Sequence, residues 1–585
     1  MSSAQYAIYR NDAAARNNLA LPFTQDAIDK YAAGDDPINY PSTNWMDLTF
    51  ADYSPEYRTS LSVSGGSEDV SYFVSGDYMD QVGMFESGDL NFKQYQVRSN
   101  LDIKIYEDLK LGVDLSGRFG VRNEPGVPES YIYKHIYANS PTQVGVYPNG
   151  LVGWGGENGS NPYIMSSKEA GFINHHDNDL RGKFSIKWDL GKLVTEGLRI
   201  ESFAGIRKMS NDVKNWYTPW TVYQYQASSD TYLPSLGYSQ QGNKAILRES
   251  FWKYDELLLN AVIHYDRTFG DHTVRGFAGI EQTTADQRSF WAERKDFPTK
   301  QHYELFAGSD DGQQSSGGSA EWGRLNYFGS LSYDFQKKYF VDLTLRRDGS
   351  SNFAKGKQFG IFPGAAVSWS IGDENFMDFT NSWLNALKIR ASWAKMGNDR
   401  IGAFQFLTRY NYGGNTDVAQ PNYYIFGTPG VRYNGYDPAN VPNPDITWES
   451  ADMKNIGVNF LMLDNRLSAD VNYFYQKRED ILIQRNASIP DFTGLTLPAE
   501  NLGKVDNYGW EFELAWSDKI GEVSYNVGGN FTLAKNEVVY LDEAADVPEW
   551  RKREGHPMDS YLVYPTFGLF KDQEMVDNLT AKKPG

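Results

Sequence analysis

Polar and apolar residues alternate with a period of two through most of this chain. In the run from Tyr57 to Ser64, Tyr57, Leu61 and Val63 share one side, while Arg58, Ser60, Ser62 and Ser64 share the other. Tyr95, Val97, Leu101, Ile103 and Ile105 alternate in the same way with Gln94, Gln96, Arg98, Asn100, Asp102 and Lys104. A further run sets Leu109, Leu111, Val113, Leu115 and Phe119 against Lys110, Asp114, Ser116 and Arg118. Successive side chains of a strand point to opposite faces, so each run predicts a strand with one apolar and one polar face. About sixteen such strands fit between Tyr57 and Asn536.

A soluble sandwich also alternates, so two further features decide the reading. Several strands run about ten residues or more, the length of a tilted membrane crossing and longer than the usual globular strand. The predicted connections also alternate in length. Tight turns fall near Gly65–Asp69, Tyr106–Asp108, Gly191–Gly197, Arg267–Asp271, Gln336–Lys338 and Leu463–Asn465. Long loops lie between them, at Gly120–Asp179, Met209–Tyr254, Thr283–Gly323 and Met396–Ile446. That rhythm is how outer-membrane barrels connect their strands. The predicted fold is therefore all-β, a transmembrane antiparallel up-and-down β-barrel, with Leu101 and Ile103 facing lipid and Asn100 and Asp102 facing the lumen.

The chain divides into three stretches on this reading. Residues 1–56 form an extracellular loop region with short helices at Ser2–Asn17 and Thr24–Ala33, the second with Thr24 as N-cap and Gly34 as stop. Residues 57–536 hold the strands and long loops, and 537–585 form a truncated extracellular loop. The first and last predicted strands both have their outer ends on the long-loop side. One more strand before them and an odd number after would repair that arrangement. The sequence is thus expected to be part of a longer barrel, of which it holds about 16 strands.

Composition narrows the function. A net charge of -19 argues against a nucleic-acid binder, which needs a basic footprint. Tyr, Phe and Trp make up 15% of the residues, and Tyr and Trp suit membrane interfaces and sugar-binding surfaces. The chain has no cysteine, which removes thiolate metal sites, catalytic thiols and disulfides. No apolar run is long enough for a transmembrane helix, which leaves strands as the means of crossing. The start, Met1-Ser2-Ser3-Ala4-Gln5, is not an export signal, so an exported protein is expected to carry one upstream.

Four groups of motifs resemble the SusC/RagA-like TonB-dependent outer-membrane transporters. Leu61–Gly66, followed by Tyr72, Tyr78 and Asp80-Gln81-Val82-Gly83, resembles that family's first barrel hairpin. Tyr339–Arg346 leads into Arg347-Asp348-Gly349-Ser350-Ser351-Asn352-Phe353, then Gly360-Ile361-Phe362-Pro363 and Ser368-Trp369-Ser370. Leu387–Trp393 is followed by Gly397-Asn398. The fourth group runs through Asn443–Glu449, Asn455-Ile456-Gly457, Asn465-Arg466-Leu467 and Asn507–Phe512. The resemblance covers nearly the whole chain and implies an importer of oligosaccharides or peptides whose complete barrel has 22 strands, so that this chain is expected to hold about 16 of 22. It also implies a SusD-like surface lipoprotein, energy from TonB through a plug region that this chain lacks, and a setting in outer-membrane lipid. Asp348-Gly349 suits a turn, Pro363 a strand start or bulge, and Trp448 and Trp510 an interfacial girdle.

No constellation of catalytic, cofactor or metal residues stands above background, so the chain is not read as an enzyme. His175-His176-Asp177 is expected to be a polar loop, because adjacent strand residues point apart. Asp310-Asp311 and Glu543 with Asp546 read as solvated charge, and Gln313–Ala320 as a flexible loop. The long loops are rich in aromatic rings that can stack on sugar faces, or else pack loop against loop. Candidate substrate contacts are Tyr133, Trp154, Trp216, Trp220 and Tyr412. A passive outer-membrane porin and a secreted all-β glycan-binding protein remain as alternatives.

Overall fold

The computed structural model describes residues 1–412, 423–428, 430–438, 441–485, 497–544, 546–566 and 568–577. The chain forms two compact units. One comprises Met1–Tyr265 with Phe277–Leu325, and the other Asp266–Gly276 with Asn326–Gly585.

The first eleven strands are β1 (Glu56–Gly66), β2 (Val70–Val82), β3 (Asn91–Tyr106), β4 (Leu109–Pro125), β5 (Gly171–Asp189), β6 (Leu198–Tyr217), β7 (Trp220–Gln226), β8 (Thr231–Gly237), β9 (Ile246–Phe269), β10 (His272–Lys295) and β11 (Gln314–Phe335). There follow β12 (Tyr339–Ser350), β13 (Phe359–Ser370), β14 (Leu384–Asn398), β15 (Tyr410–Tyr412), β16 (Tyr423–Phe426), β17 (Val431–Asn434), β18 (Tyr436–Pro438), β19 (Glu449–Met462), β20 (Leu467–Gln484), β21 (Ala499–Ile520) and β22 (Val523–Tyr540). Sixteen of them succeed one another in chain order in one sheet. The pairs β7–β8, β15–β18 and β16–β17 form separate small hairpins within the long connections. Sequential antiparallel pairing is the predicted up-and-down pattern.

Register turns the period of two into continuous rows. In the first unit, one row runs Tyr72, Leu101, Val113, Phe184, Ala204 and Leu259 across six paired strands. The row Val70, Ile103, Leu111, Ile186, Ser202 and Ala261 lies on the same face. Between them, on the opposite face, runs Ser71, Asp102, Gly112, Ser185, Phe203 and Asn260. Leu101 and Ile103 thus share the apolar face, and Asn100 and Asp102 the other. In the second unit, Val341, Val367, Ala391, Ile456, Tyr473, Trp510 and Leu533 make a comparable apolar row. Many side chains on these faces are exposed, Phe184 at 51% and Ile456 at 59%. An apolar face of this extent is what hydrocarbon would cover.

The strands run further than the alternation predicts. β9 and β10 each have 24 residues, or roughly 80 Å of extended chain, against the ~10 residues that cross a bilayer. Two expectations are corrected as a result. His175, His176 and Asp177 lie inside β5, not in a loop, and Gln314–Ala320 of the expected flexible run begins β11. Ladder hydrogen bonds need no apolar side chains, so a strand continues where both its faces are polar. The expected long loops shrink accordingly, to 126–170 between β4 and β5 and to 296–313 between β10 and β11.

The expected helices form, bounded by their caps. They are α1 (Ser3–Arg16), capped by Ser2, and α2 (Gln25–Ala33), capped by Thr24. Gly34 stops α2 in the left-handed region at φ 69°, where a Cβ would be strained. Asp348-Gly349 falls within β12 rather than in a turn, with Asp348 taking two hydrogen bonds from Arg346. Pro363 lies inside β13 opposite Leu345, and the β14 ladder begins one residue later at Gly364, so its missing N–H leaves no gap there. Among the described residues, no helix is long and apolar enough to cross a membrane, which says nothing of strands.

Candidate ligand-facing loop assembly

The long connections of the first unit carry a core of their own. It joins α3 (Trp45–Thr49), the β2–β3 turn, the 126–170 connection and the β7–β8 hairpin. The 126–170 connection contains α4 (Glu129–Ala138) and α5 (Pro162–Met165). α4 buries Ile132, His135 and Ile136, the i, i+3, i+4 stripe of one helix face. Against them pack Trp45, Phe85, Met165, Tyr217, Trp220 and Val222.

Buried polar groups tie the pieces together. Asn161 is fully buried and caps α5, accepting from Tyr163 N, while its Nδ2 donates to the carbonyls of Gly145 at 2.7 Å and Gly153 at 2.9 Å. Pro162 at the first helical position completes a local start signal. Asn139 donates to Ser160 O at 2.8 Å, and Trp45 Nε1 to Ser140 O at 3.1 Å. Thr43 Oγ1 donates to Gln143 O and accepts from Gly145 N. A side chain that closes two backbone groups at once leaves a loop little freedom.

His135 sits inside this core, 3% exposed, with Nδ1 3.3 Å from Asn139 Oδ1 and its ring 4.6 Å from that of Tyr131. Burial holds its pKa below the usual histidine value, because the charged ring would lose water and the Asn139 hydrogen bond does not offset that loss. Lys300 donates to Pro219 O from the neighbouring connection, and burial lowers its pKa too.

The five candidate contacts separate on these grounds. Trp220 is 1% exposed and donates from Nε1 to Gly159 O at 2.8 Å. Trp216 is 2% exposed, edge-on to Phe297 at 4.9 Å and tilted against Tyr303. Both rings hold loops together and present almost no surface of their own. Tyr133 and Trp154 are half-buried at the edge of the same core. Tyr133 lies near Phe50 and Phe85, and its hydroxyl donates to Met84 Sδ. Tyr412 ends β15, and its side chain lies outside the described residues. The assembly therefore brings three of the five together, Trp220 in its interior and Tyr133 and Trp154 at its edge, while Trp216 packs against Phe297 and Tyr303 of the 296–313 connection. Asn161, Asn139 and His135 were not anticipated; the Asn161-Pro162 pair was the one legible signal for them.

A second, smaller core stands in the other unit, where Phe353, Phe362, Ile446 and Trp448 pack together. Trp448 is 8% exposed and donates to Gln358 O, so it is a core residue and not part of an outer girdle. The ring found the dry pocket made by Phe353 and Phe362, at 5.2 and 5.4 Å, in place of an interface. Trp510 does lie on the apolar face, 45% exposed beside Tyr473. His175 and His176, one residue apart on β5, point to opposite faces, and His175 approaches Glu124 at 3.6 Å. Among the described residues, no group of three or more His, Asp or Glu is placed to hold a metal ion.

Residues 130–561 match the family described as TonB dependent receptor-like, beta-barrel. The chain belongs to that family. TonB-dependent receptor P26 of Formosa agariphila is 25% identical over all of this chain and 56% of its own length. TonB-dependent receptor SusC of Bacteroides thetaiotaomicron is 31% identical over 38% of this chain and 21% of its own. The solved structure of the RagAB peptide transporter superposes with a TM-score of 0.74 at 20% identity, over 95% of this chain and 61% of that one. The chain spans about half the length of the Formosa relatives, 48% of receptor P3 and 56% of receptor P26. The SusC/RagA-like resemblance and the outer-membrane β-barrel class both stand, and the family is one of receptors and transporters.

Proposed function

We propose that this chain is the barrel part of a TonB-dependent importer of the SusC/RagA type, taking up oligosaccharides or peptides together with a SusD-like surface lipoprotein. The family match over residues 130–561 carries the reading. The loop assembly supports it, because a packed, hydrogen-bonded set of connections is a pre-organised binding surface. Trp220 holds that surface from within, and Tyr133 and Trp154 at its edge contact cargo. Tyr and Trp suit both cargo classes, since a ring stacks on sugar faces and also on peptide side chains. TonB engages the complete protein through its plug region.

The test is uptake by cells that produce the complete protein. Labelled oligosaccharides and peptides are offered before and after removal of the gene, and with TonB inactivated. Loss of uptake in both cases, for one cargo class, is the expected result. Uptake that survives TonB loss, together with steady single-channel conductance, would instead identify a passive porin. Partition of the native protein into water without detergent would favour a secreted glycan binder.

A further inference from the structure

The polar face of the first unit carries aromatic rings of its own, on the strands and not in the loops. On β9, Trp252 and Tyr254 point to that face with nearly parallel rings 6.1 Å apart. Register places each at the end of a polar row. One row runs Gln94, Gly120, Asp177, Asn211 and Trp252, and the next Gln96, Arg118, Asp179, Met209 and Tyr254. On the outer face at this level, Asn178, Ser210 and Lys253 are polar too. The rows therefore stand beyond the apolar band, toward the long connections, where the lumen meets outside water.

Several polar atoms of these rows are unused. Asn211 Nδ2 donates to Asp177 Oδ1, and the other oxygen of each residue has no partner among the described residues. Trp252 Nε1 has none either, and all three atoms are open to solvent. Trp291 of β10 differs, because Arg248 lies 3.7 Å from its ring centroid and already occupies that ring. Phe92 adds a ring toward the other end of the first row, lying over Gly120, where a Cβ would meet it at 3.3 Å. Ring, carboxylate–amide pair and ring thus follow one another over three strand spacings, roughly 14 Å. Charge on this stretch is balanced. Arg118, Arg181 and Arg207 stand with Asp177, Asp179 and Glu256, and Asp179 takes hydrogen bonds from Arg181 and Arg207. Arg122 is matched by Glu124 at 3.1 Å, and Arg98 lies diagonal to Asp77.

We propose that this stretch of the luminal wall is a subsite for an uncharged oligosaccharide: sugar rings stack on Trp252 and Phe92, and hydroxyl groups between them bond to Asp177 and Asn211. A hydroxyl both donates and accepts, so a sugar satisfies the two free oxygens and the indole N–H alike. The apolar faces of sugar rings suit the aromatic ones. An acidic glycan would need a surplus of positive charge, which the balanced wall does not offer. A peptide held through its backbone needs a free strand edge, and every strand from β3 to β9 in this sheet is paired on both sides. The proposal rests on the importer reading and narrows its two cargo classes to one.

The experiment is calorimetric binding to the complete protein in mild detergent. The probes are neutral hexasaccharides of glucose, xylose, mannose and galactose, the acidic hexagalacturonate, and a set of uncharged hexapeptides. The wild type is expected to bind a neutral hexasaccharide and to bind the acidic and peptide probes more weakly. Trp252→Ala should weaken that binding about tenfold and Asn211→Ala about fivefold, whereas Trp252→Phe, which keeps a ring, should recover most of the loss. Lys253→Gln, one residue away on the outer face, should bind as wild type does. Resistance to detergent unfolding on gels shows which variants are folded. A wild type that binds no neutral probe, or prefers hexagalacturonate or the peptides, overturns the proposal. So does wild-type affinity in folded Trp252→Ala, which would make that ring a packing residue. TonB-dependent uptake judges the importer reading separately: uptake that needs TonB but is unchanged in Trp252→Ala overturns the subsite and leaves the importer standing.

Discussion

The strand wall and the loop assembly of the first unit use the same residue types in opposite senses. On the wall, Leu61, Val97 and Phe184 are 72%, 54% and 51% exposed, although each lies in an apolar row. In the loop assembly, Ile132, Met165 and Val222 are fully buried. The wall is organised for a surrounding apolar solvent, with its backbone satisfied by ladders and its apolar side chains pointing away. The loops are organised for water, with a conventional core and buried polar groups that close the backbone. One chain thus contains two solvation regimes, and substitutions should behave differently in each.

The largest effect is expected in the loop core. Trp220→Ala removes a ring that is 1% exposed together with its hydrogen bond to Gly159, a change worth roughly 3–5 kcal/mol. The loss should stay local. Proteolysis of the complete protein in outer membrane should cut within 126–170 and 218–245, while the strands stay protected. Cleavage of strands as well would mean that loops and wall form a single cooperative unit.

Next comes the wall. Leu101→Arg places a charge in the apolar row and should destabilise by about 2–4 kcal/mol, whereas Asn100→Arg, one residue away on the polar face, should cost about 1 kcal/mol or less. Urea unfolding of the complete protein in lipid vesicles measures both. Cysteines at the two positions sharpen the test, because aqueous reagents should label position 100 and not 101. The reverse pattern would invert the faces. A smaller loss, about 1–3 kcal/mol, is expected for Asn161→Ala, which leaves the buried Gly153 carbonyl without its side-chain donor and removes the α5 cap. Its loops should be cut faster than wild type and more slowly than in Trp220→Ala.

The same contrast explains what could be read from sequence. The wall was legible because lipid on one side and polar groups on the other write a period of two into Tyr95–Ile105 and Leu109–Phe119. Above the membrane level both faces meet water, and the signal fades although the strand continues. Asn178 of β5 hydrogen-bonds Ser210 of β6 on what lower down is the apolar face. His175–Asp177 and Gln314–Ala320 therefore looked like loops. The loop core was harder still. Its apolar residues come from segments tens of residues apart, and each segment alone shows only scattered aromatic rings. Trp216 and Trp220 were identified as candidates from type and density, but their burial depends on Phe297 and the Gly159 carbonyl, which no local pattern announces. Trp448 differs from Trp510 in the same way: both rings suit an interface, and only the neighbours Phe353 and Phe362 draw one of them inside.

The smallest effect is a dependence on pH, and it belongs to the loops alone. His135 is buried as the neutral ring, and its pKa lies below the ordinary 6.5. Two charged groups act on it, Lys134 disfavouring and Glu157 favouring the charged form, and burial outweighs both. In the unfolded segment the ring protonates near 6.5; in the folded assembly it resists until lower pH. The unfolded state therefore binds more protons throughout that interval, and stability is lost as pH falls. Above about 6.5 the contribution is complete, and below the depressed pKa the loss is complete and levels off. Hydrogen exchange of the 126–170 amides in the complete protein should accelerate relative to intrinsic rates as pH is lowered from 8 to 5, while amides of β3 and β4 keep their protection. His135→Phe retains an aromatic ring beside Tyr131 and cannot titrate, so its loop protection should be flat over the same range. A variant that keeps the wild-type slope would place the titration on another group and leave His135 as a packing residue only.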